Sequence, residues 1–395
     1  MSIRLPSADG GYRLHRPCGN PLPALVCGPA RSRRFYAAAH VVADPLAASA
    51  GGSGQTGRVV DWEATLAFRH RLWAQGLGVA EAMDTAQRGM GLEWPAAAEL
   101  IRRSAAEARA VGGRIVCGAG TDQLAPGGGH APAAVTAAYE EQLAHIEACG
   151  AGAVLMASRA LAAAARGPED YLQVYGRLLR QSARPVVLHW LGPVFDPELA
   201  GYWGHADLDA ATEVLLKIIA DCPERVDGVK VSLLDAERER DIRRRLPPGV
   251  RCYTGDDYHY PELIAGGGDG AADGEPGSDA LLGVFDPIAP LAARAALALD
   301  RGDAAGFREL LDPTVELSRH LFAPPTRHYK TGVVLLAWLA GYQEHFTMVG
   351  GLQSARPLPH LATAYEQADL LGLFPDPELA EARMRQLLAV YGVAS

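Results

Sequence analysis

The chain has almost no lysine. Of its 37 basic residues only Lys217, Lys230 and Lys330 are lysines, and every other one is arginine. Richness in Ala, Gly and Pro points to a composition bias that presses Lys towards Arg. Cysteine is also sparse: the six occur singly, at positions 18, 27, 117, 149, 222 and 252, with no CxxC pair. Cys117 and Cys149 lie in or beside apolar segments, as small buried thiols do, and a cytoplasmic compartment fits this usage. Long apolar runs are missing; the longest, GVVLLAWLAG near residue 335, is too short to span a bilayer. The N-terminus, MSIRLPSADGGYRLHRP, lacks the apolar core of a signal peptide. There is no concentrated basic stripe and the net charge is −9, which argues against nucleic acid or an anionic membrane as partner. What remains, 49% hydrophobic and 21% charged residues, describes a soluble globular chain with ample core.

Past an irregular arm (1–34), short apolar runs alternate with amphipathic stretches. FYAAAHVVA (35–43) reads as a first strand, and DWEATLAFRHRLWAQG (61–76) as a helix with Asp61 as N-cap and Gly76 as stop. The strand-like runs LGVAEAM, RIVCGAG, AGAVLMAS, RPVVLHW, VDGVKVS, VRCYTGDD and DALLGVFD follow, each leading into a helical stretch. The glycine-rich loop 266–278 is expected to be mobile. Eight short apolar strands covered on both faces predict an α/β fold, a (β/α)8 barrel over 35–300. The alternative, a doubly wound open sheet, is disfavoured because no GxGxxG follows the first strand. After residue 300 the pattern is purely helical (about 303–323, 327–344 and 375–391), predicting a C-terminal helical region over 301–395.

Barrel active sites form at the C-terminal ends of the strands. Those ends carry Asp44, Asp84 with Thr85, Thr121 with Asp122, Ser158 with Arg159, His189, Lys230 with Ser232, Asp256 with Asp257, and Asp286. Asp, Ser and Thr at such places also serve simply as helix caps. Lys230 is harder to explain structurally, because a buried amine is costly. Side chains alternate along a strand, so Val229, Val231 and Leu233 share the outer face while Gly228, Lys230 and Ser232 point into the barrel. A guanidinium never deprotonates, whereas a desolvated Lys becomes a nucleophilic amine. A lone inward Lys is the geometry of an imine-forming enzyme. The competing reading is a structural Lys in a buried ion pair.

On these residues the chain resembles the dihydrodipicolinate synthase and N-acetylneuraminate lyase family of Schiff-base aldolases, as a divergent branch. VDGVKVS resembles that family's GIKxS segment on strand six, whose Lys forms the imine. RIVCGAGTDQ resembles its IAGxG segment, and YTGDDYHYPELIAGG its SGDD segment; the likeness runs in order over about residues 35–350. Two departures stand out. VVLHWLGP puts His189 where the family has a proton-relaying Tyr, and AMDTAQRG replaces the GTTGE loop that grips an α-keto-acid carboxylate. Thr85 and Gln87 remain as donors there, and Arg88 as an anion grip.

The resemblance implies a lyase of the aldolase type, cleaving or forming a C–C bond of a sugar-derived or keto-acid substrate through an imine on Lys230. His189 would move protons, and Ser232 and Thr121 would bind polar substrate groups. Asp84 or Asp256 would tune the amine or act as base; Thr85, Asp122 and Asp257 complete the binding set. No cofactor and no metal are expected, the partner is a small carbonyl compound, and a homodimer or homotetramer is expected. Lys330 is expected to be structural or a support for the site rim, and Lys217 to snorkel from a surface helix. Two rivals remain: a metal-dependent sugar isomerase or epimerase using Asp84, His189 and Asp256, and a ligand-binding barrel without catalysis. The apolar stretch 331–346 either packs within its own chain or lines a subunit contact.

Overall fold

The computed structural model describes residues 2–47, 59–83, 87–125, 127, 129–267 and 276–393. Two strands, β1 (Ile3–Pro6) and β2 (Tyr12–His15), pair antiparallel at the N-terminus. Eight more follow: β3 (Phe35–Ala38), β4 (Gly78–Glu81), β5 (Ile115–Ala119), β6 (Gly152–Leu155), β7 (Val186–Leu191), β8 (Val226–Ser232), β9 (Arg251–Thr254) and β10 (Asp279–Leu282). These pair parallel in chain order, and β10 returns to β3 to close a barrel. A helix follows nearly every barrel strand. Asp61 caps the first as expected, accepting the Ala64 amide at 3.0 Å before the helix Trp62–Ala74. The fold is the (β/α)8 barrel that the eight apolar runs predicted, with helices continuing beyond it.

The apolar residues divide by strand alternation. Tyr36, Ala38, Ala80, Val116, Val154, Val187, Tyr253 and Leu281 meet inside the barrel with Met83 and Met156. Val229 and Val231 join the larger core between strands and helices. Alternation on β8 therefore runs as read from the sequence, and Lys230 faces inward beside its register partners His189 and Tyr253.

Several elements depart from expectation. The first barrel strand ends at Ala38 rather than 43, because the next amides find side-chain acceptors: His40 on Asp286, Val41 on Gln87 and Val42 on Thr65. The N-terminal arm is not irregular throughout. Its hairpin packs on the helix Leu358–Leu370, an element absent from the sequence reading, through His15–Asp369 (2.8 Å) and Arg13–Glu366 (2.6 Å). The stretch 303–323 is interrupted at Asp312–Thr314, where Pro313 stands, giving helices Ala304–Leu311 and Val315–Leu321. The helix Tyr329–Leu339 is buried on every side within its own chain. Its apolar surface therefore carries no argument for a subunit contact. Of the glycine-rich loop 266–278, residues 268–275 lie outside the described residues, as do Asp84 and Thr85.

Candidate active site

The pairing of β7 with β8 sets His189 beside Lys230 and Leu191 beside Ser232. All are buried; Lys230 retains 8% exposure and His189 none. The His189 Nε2 and Ser232 Oγ lie 3.1 Å apart, a hydrogen bond whose direction follows the imidazole tautomer. Two glycines shape this corner. A Cβ at Gly228 would meet the Tyr253 ring at 2.8 Å, so the room below Lys230 is taken by that ring, whose hydroxyl donates to Asp227 at 2.6 Å. A Cβ at Gly255 would fall 2.1 Å from Ser232 Oγ and 2.8 Å from Lys230 Cε. Gly255, in the YTGDD segment, is what lets the amine and the hydroxyl stand together at the barrel mouth.

Both line a pocket at the barrel mouth. Its polar wall is Lys230, Ser232, Asp257 and Tyr329; its apolar wall is Leu191, Phe195 and Phe322, with Ala38 and Met83. Phe322 and Tyr329 stack with ring centroids 4.1 Å apart, and Gly283 admits them, since a Cβ there would come within 2.8 Å of both rings. The Asp257 carboxylate accepts the Val284 amide at 3.0 Å. Burial pushes this carboxyl up to about 7, against the pull of the Val284 amide and of the Lys230 and Lys330 charges. It is poised to give or take a proton at neutral pH.

The remaining sequence candidates are placed elsewhere. Asp256 accepts the amides of Tyr258 (2.8 Å) and His259 (3.0 Å) and faces His259 Nδ1 at 2.9 Å, so it organises its own loop and raises the His259 pKa. Thr121 Oγ1 lies 2.6 Å from Ser158 Oγ, which caps the Leu161 amide. Asp122 pairs bidentately with Arg88 at 3.0 and 2.7 Å. None of Thr121, Asp122 and Asp256 lines the cleft at Lys230. Arg88 does not serve as an anion grip either. Its other N–H groups go to the carbonyls of Ala82 (3.0 Å) and Gly118 (2.5 Å) and to Gln142, so all five donors are engaged. Lys330 is fully buried and donates to the Ala38 carbonyl and to Asp286 at 3.4 Å; Asp286 also binds the His40 ring at 2.9 Å. Burial alone would raise the Asp286 carboxyl, but the His40 and Lys330 charges hold it at about 2. Lys330 is thus a rim support. Lys217 pairs with Asp221 on the surface at 3.1 Å.

The sequence reading missed Phe195, Phe322 and Tyr329. The last two come from beyond the final barrel strand, and their only local signal was the apolar, aromatic character of HLFAPPTRHYK. It also missed Glu239, which is wholly buried behind β9. Ser278 donates to it at 2.7 Å, and burial pushes it up to about 8. Among the described residues no group of three or more His, Cys, Asp or Glu is disposed to hold a metal ion, and no helix is long and apolar enough to cross a membrane.

Among solved structures, several dihydrodipicolinate synthases share this architecture. That of Aquifex aeolicus is 15% identical, covering 91% of this chain and 98% of its own, with a TM-score of 0.60. That of Thermotoga maritima is 15% identical, with 92% and 100% covered and a TM-score of 0.60. That of Acinetobacter baumannii, crystallised with pyruvate, is 16% identical, with 92% and 99% covered and a TM-score of 0.57. The resemblance read from the motifs holds at the level of the fold, barrel and C-terminal helices together. No curated protein matches in sequence. The model of the family described as "Protein of unknown function (DUF993)" matches residues 3–393.

Proposed function

We propose that this chain, which belongs to the DUF993 family of proteins of unknown function, is a class I lyase that forms or breaks a C–C bond of a small carbonyl compound through an imine on Lys230. The observation that carries this reading is the amine itself: inward on β8, nearly buried, kept clear by Gly255, and opening onto a cleft with Ser232 and Asp257. Burial favours the neutral, nucleophilic form of an amine.

In the proposed reaction the neutral Lys230 Nζ adds to the carbonyl carbon, and a proton passes from the nitrogen to the oxygen. The resulting carbinolamine loses water, its hydroxyl leaving with one proton from an acid of the site, and a protonated imine remains. In the cleaving direction a base removes the proton of the β-hydroxyl and the bond between the α- and β-carbons breaks. Its electron pair passes to the imine as an enamine, and an aldehyde or ketone departs. Protonation of the enamine carbon and addition of water restore the amine and release the second product. In this reading Asp257, pushed up to about 7 by burial, and the hydrogen-bonded His189–Ser232 pair carry these protons. His189 stands in for the family's Tyr in this role.

The reading is tested by borohydride reduction in the presence of a panel of aldehydes, ketones and keto acids. One reduced adduct per chain is expected, mapping to Lys230. An adduct confined to Lys330 would overturn the assignment.

A further inference from the structure

We propose that the Tyr329 phenol is the acid that expels water as the imine forms on Lys230, a catalytic residue supplied to the barrel by the C-terminal helical region. This rests on the imine reading above and assigns one of its proton transfers, leaving those of the C–C step to Asp257 and the His189–Ser232 pair.

Three residues of the pocket wall at Lys230 carry a hydroxyl or carboxyl group: Ser232, Asp257 and Tyr329. Ser232 Oγ lies 3.1 Å from His189 Nε2 and belongs to the β7 side of the amine. The other two stand at the end of β10. Asp257 accepts the Val284 amide at 3.0 Å. The Tyr329 hydroxyl lies against the preceding residue, since a Cβ at Gly283 would meet it at 2.8 Å, and Gly283 is itself part of the pocket wall. The ring is held in place. It stacks on Phe322 with centroids 4.1 Å and planes 18° apart, and Lys330 Nζ lies 5.1 Å from its centroid. Tyr329 also opens the helix Tyr329–Leu339, which is buried on every side. A hydroxyl carried on so fixed an element is preorganised at the barrel mouth.

The order of the chemistry selects the phenol. Lys230 attacks as a neutral amine, a form that alkaline pH favours, and the acid of the next step must still hold its proton there. Burial pushes the Asp257 carboxyl up to about 7, so in alkaline solution it is mostly ionised and serves as a base. An aliphatic hydroxyl such as that of Ser232 is too weak an acid. Phenols as a class keep their proton to about pH 10 and still yield it to a departing hydroxide. In the step itself the carbinolamine C–O bond breaks with its electron pair on oxygen, the phenol proton joins that oxygen, and water leaves. The nitrogen lone pair closes the C=N bond, so an iminium and a phenolate of opposite charge face each other. When water adds to the product imine, the phenolate takes a proton from it and the phenol is restored.

The test is Tyr329→Phe in the full chain, which removes the hydroxyl and keeps the ring on Phe322; matching melting curves verify the fold. Native protein and variant are mixed with acetaldehyde, glycolaldehyde or pyruvate and quenched into borohydride after set intervals. Mass spectrometry then follows adduct on Lys230. The expected result is a rate of imine formation lowered about tenfold to hundredfold, towards the low end of what a general acid contributes. The plateau reached at long times should stay the same, because a catalyst changes a rate and not an equilibrium. As pH falls from about 8.5 to about 6, hydronium ion replaces the missing acid and the native-to-variant ratio of rates should shrink. A variant that reaches its plateau as fast as the native protein overturns the inference and leaves the imine intact. So does a plateau that drops in step with the rate, or a ratio independent of pH, since either makes the hydroxyl a packing or binding group. No adduct on Lys230 of the native protein with any of the three compounds overturns the imine reading and this inference with it.

Discussion

Asp257→Asn is expected to stabilise the protein in alkaline solution and to destabilise it modestly in acid. In the free chain an Asp carboxyl titrates at 3.8, and in the folded barrel burial pushes this one up to about 7. An acid whose folded value is raised is favoured in its protonated form. Its contribution to stability is therefore fully present below 3.8, is lost progressively as pH rises, and is gone above about 7. Above that point the native protein bears the cost of an ionised carboxylate in an apolar wall. The interval from 3.8 to about 7 corresponds to roughly 4 kcal/mol, at ~1.36 kcal/mol per pH unit. Asparagine keeps the shape and can accept the Val284 amide through its Oδ1, but it adds N–H donors that need partners, which returns about 1–3 kcal/mol of that gain. With an unfolding entropy of about 2.1 cal/mol/K per residue over 395 residues, a net 1–3 kcal/mol moves the melting midpoint by roughly 1–4 °C. Calorimetry of both proteins from pH 4 to 9 should show a difference that grows up to about pH 7 and is flat above it. Glu239, pushed up to about 8, adds a similar trend to each protein and cancels in the comparison. A difference independent of pH, or a variant less stable than the native protein at pH 8.5, would refute the claim that burial penalises this charge.

His189→Ala is expected to slow turnover by about 10²–10⁴-fold while leaving borohydride trapping on Lys230 largely intact, as when a general acid–base is removed; equal, unchanged rates would reduce His189 to packing. Gly255→Ala drives a methyl to within 2.1 Å of Ser232 Oγ and 2.8 Å of Lys230 Cε. It should lower stability by about 1–3 kcal/mol and suppress trapping, and a normal trapping rate would show that the corner is not tightly built. Light scattering at micromolar concentration is expected to find at least a homodimer, since symmetric homo-oligomers are the commonest soluble assemblies; a monomer would refute this.

The barrel was legible because its signal is local and repeated. Each strand is a short apolar run, and each is followed by a helix with recognisable punctuation, such as Asp61 before Trp62–Ala74 or Pro95 opening Trp94–Val111. The N-terminal hairpin was not legible. IRLP and YRLH are too short and too charged to read as strands, and they are ordered by packing on Leu358–Leu370, some 350 residues away. At the site, alternation along one strand was enough to aim Lys230 and Ser232 inward. Which of two adjacent aspartates joins them was not readable, because both Asp256 and Asp257 end the same strand segment. Hydrogen bonds settle it: the Tyr258 and His259 amides draw Asp256 into its own loop, while Asp257 receives Val284 from the next strand and lines the cleft. Arg88 shows the same limit. Its type suggested an anion grip, but Asp122, Gln142 and two carbonyls, which the fold assembles around it, consume its donors.

Scarcity of lysine does not by itself mark a reactive amine, because the chain keeps a second buried lysine with a different task. Lys330 is as deeply buried as Lys230, and the same composition bias has spared both. Its ammonium sits between the Ala38 carbonyl and Asp286, tying the helix Tyr329–Leu339 to the ends of the first and last barrel strands. A compact point charge fits that pocket, and a planar guanidinium with five donors would leave several of them buried without acceptors. Survival of Lys over Arg there is explained by shape alone. The same reasoning about size applies at Lys230, whose Cε a Cβ at position 255 would approach to 2.8 Å. What separates the two is the company each keeps. Lys330 lies between the Ala38 carbonyl and Asp286 away from the pocket wall, whereas Lys230 lines the pocket together with Ser232 and Asp257, whose carboxyl burial pushes up to about 7. The case for chemistry at Lys230 therefore rests on the cleft and not on the rarity of the residue, and Lys330 is the internal control that any trapping experiment on this protein carries with it.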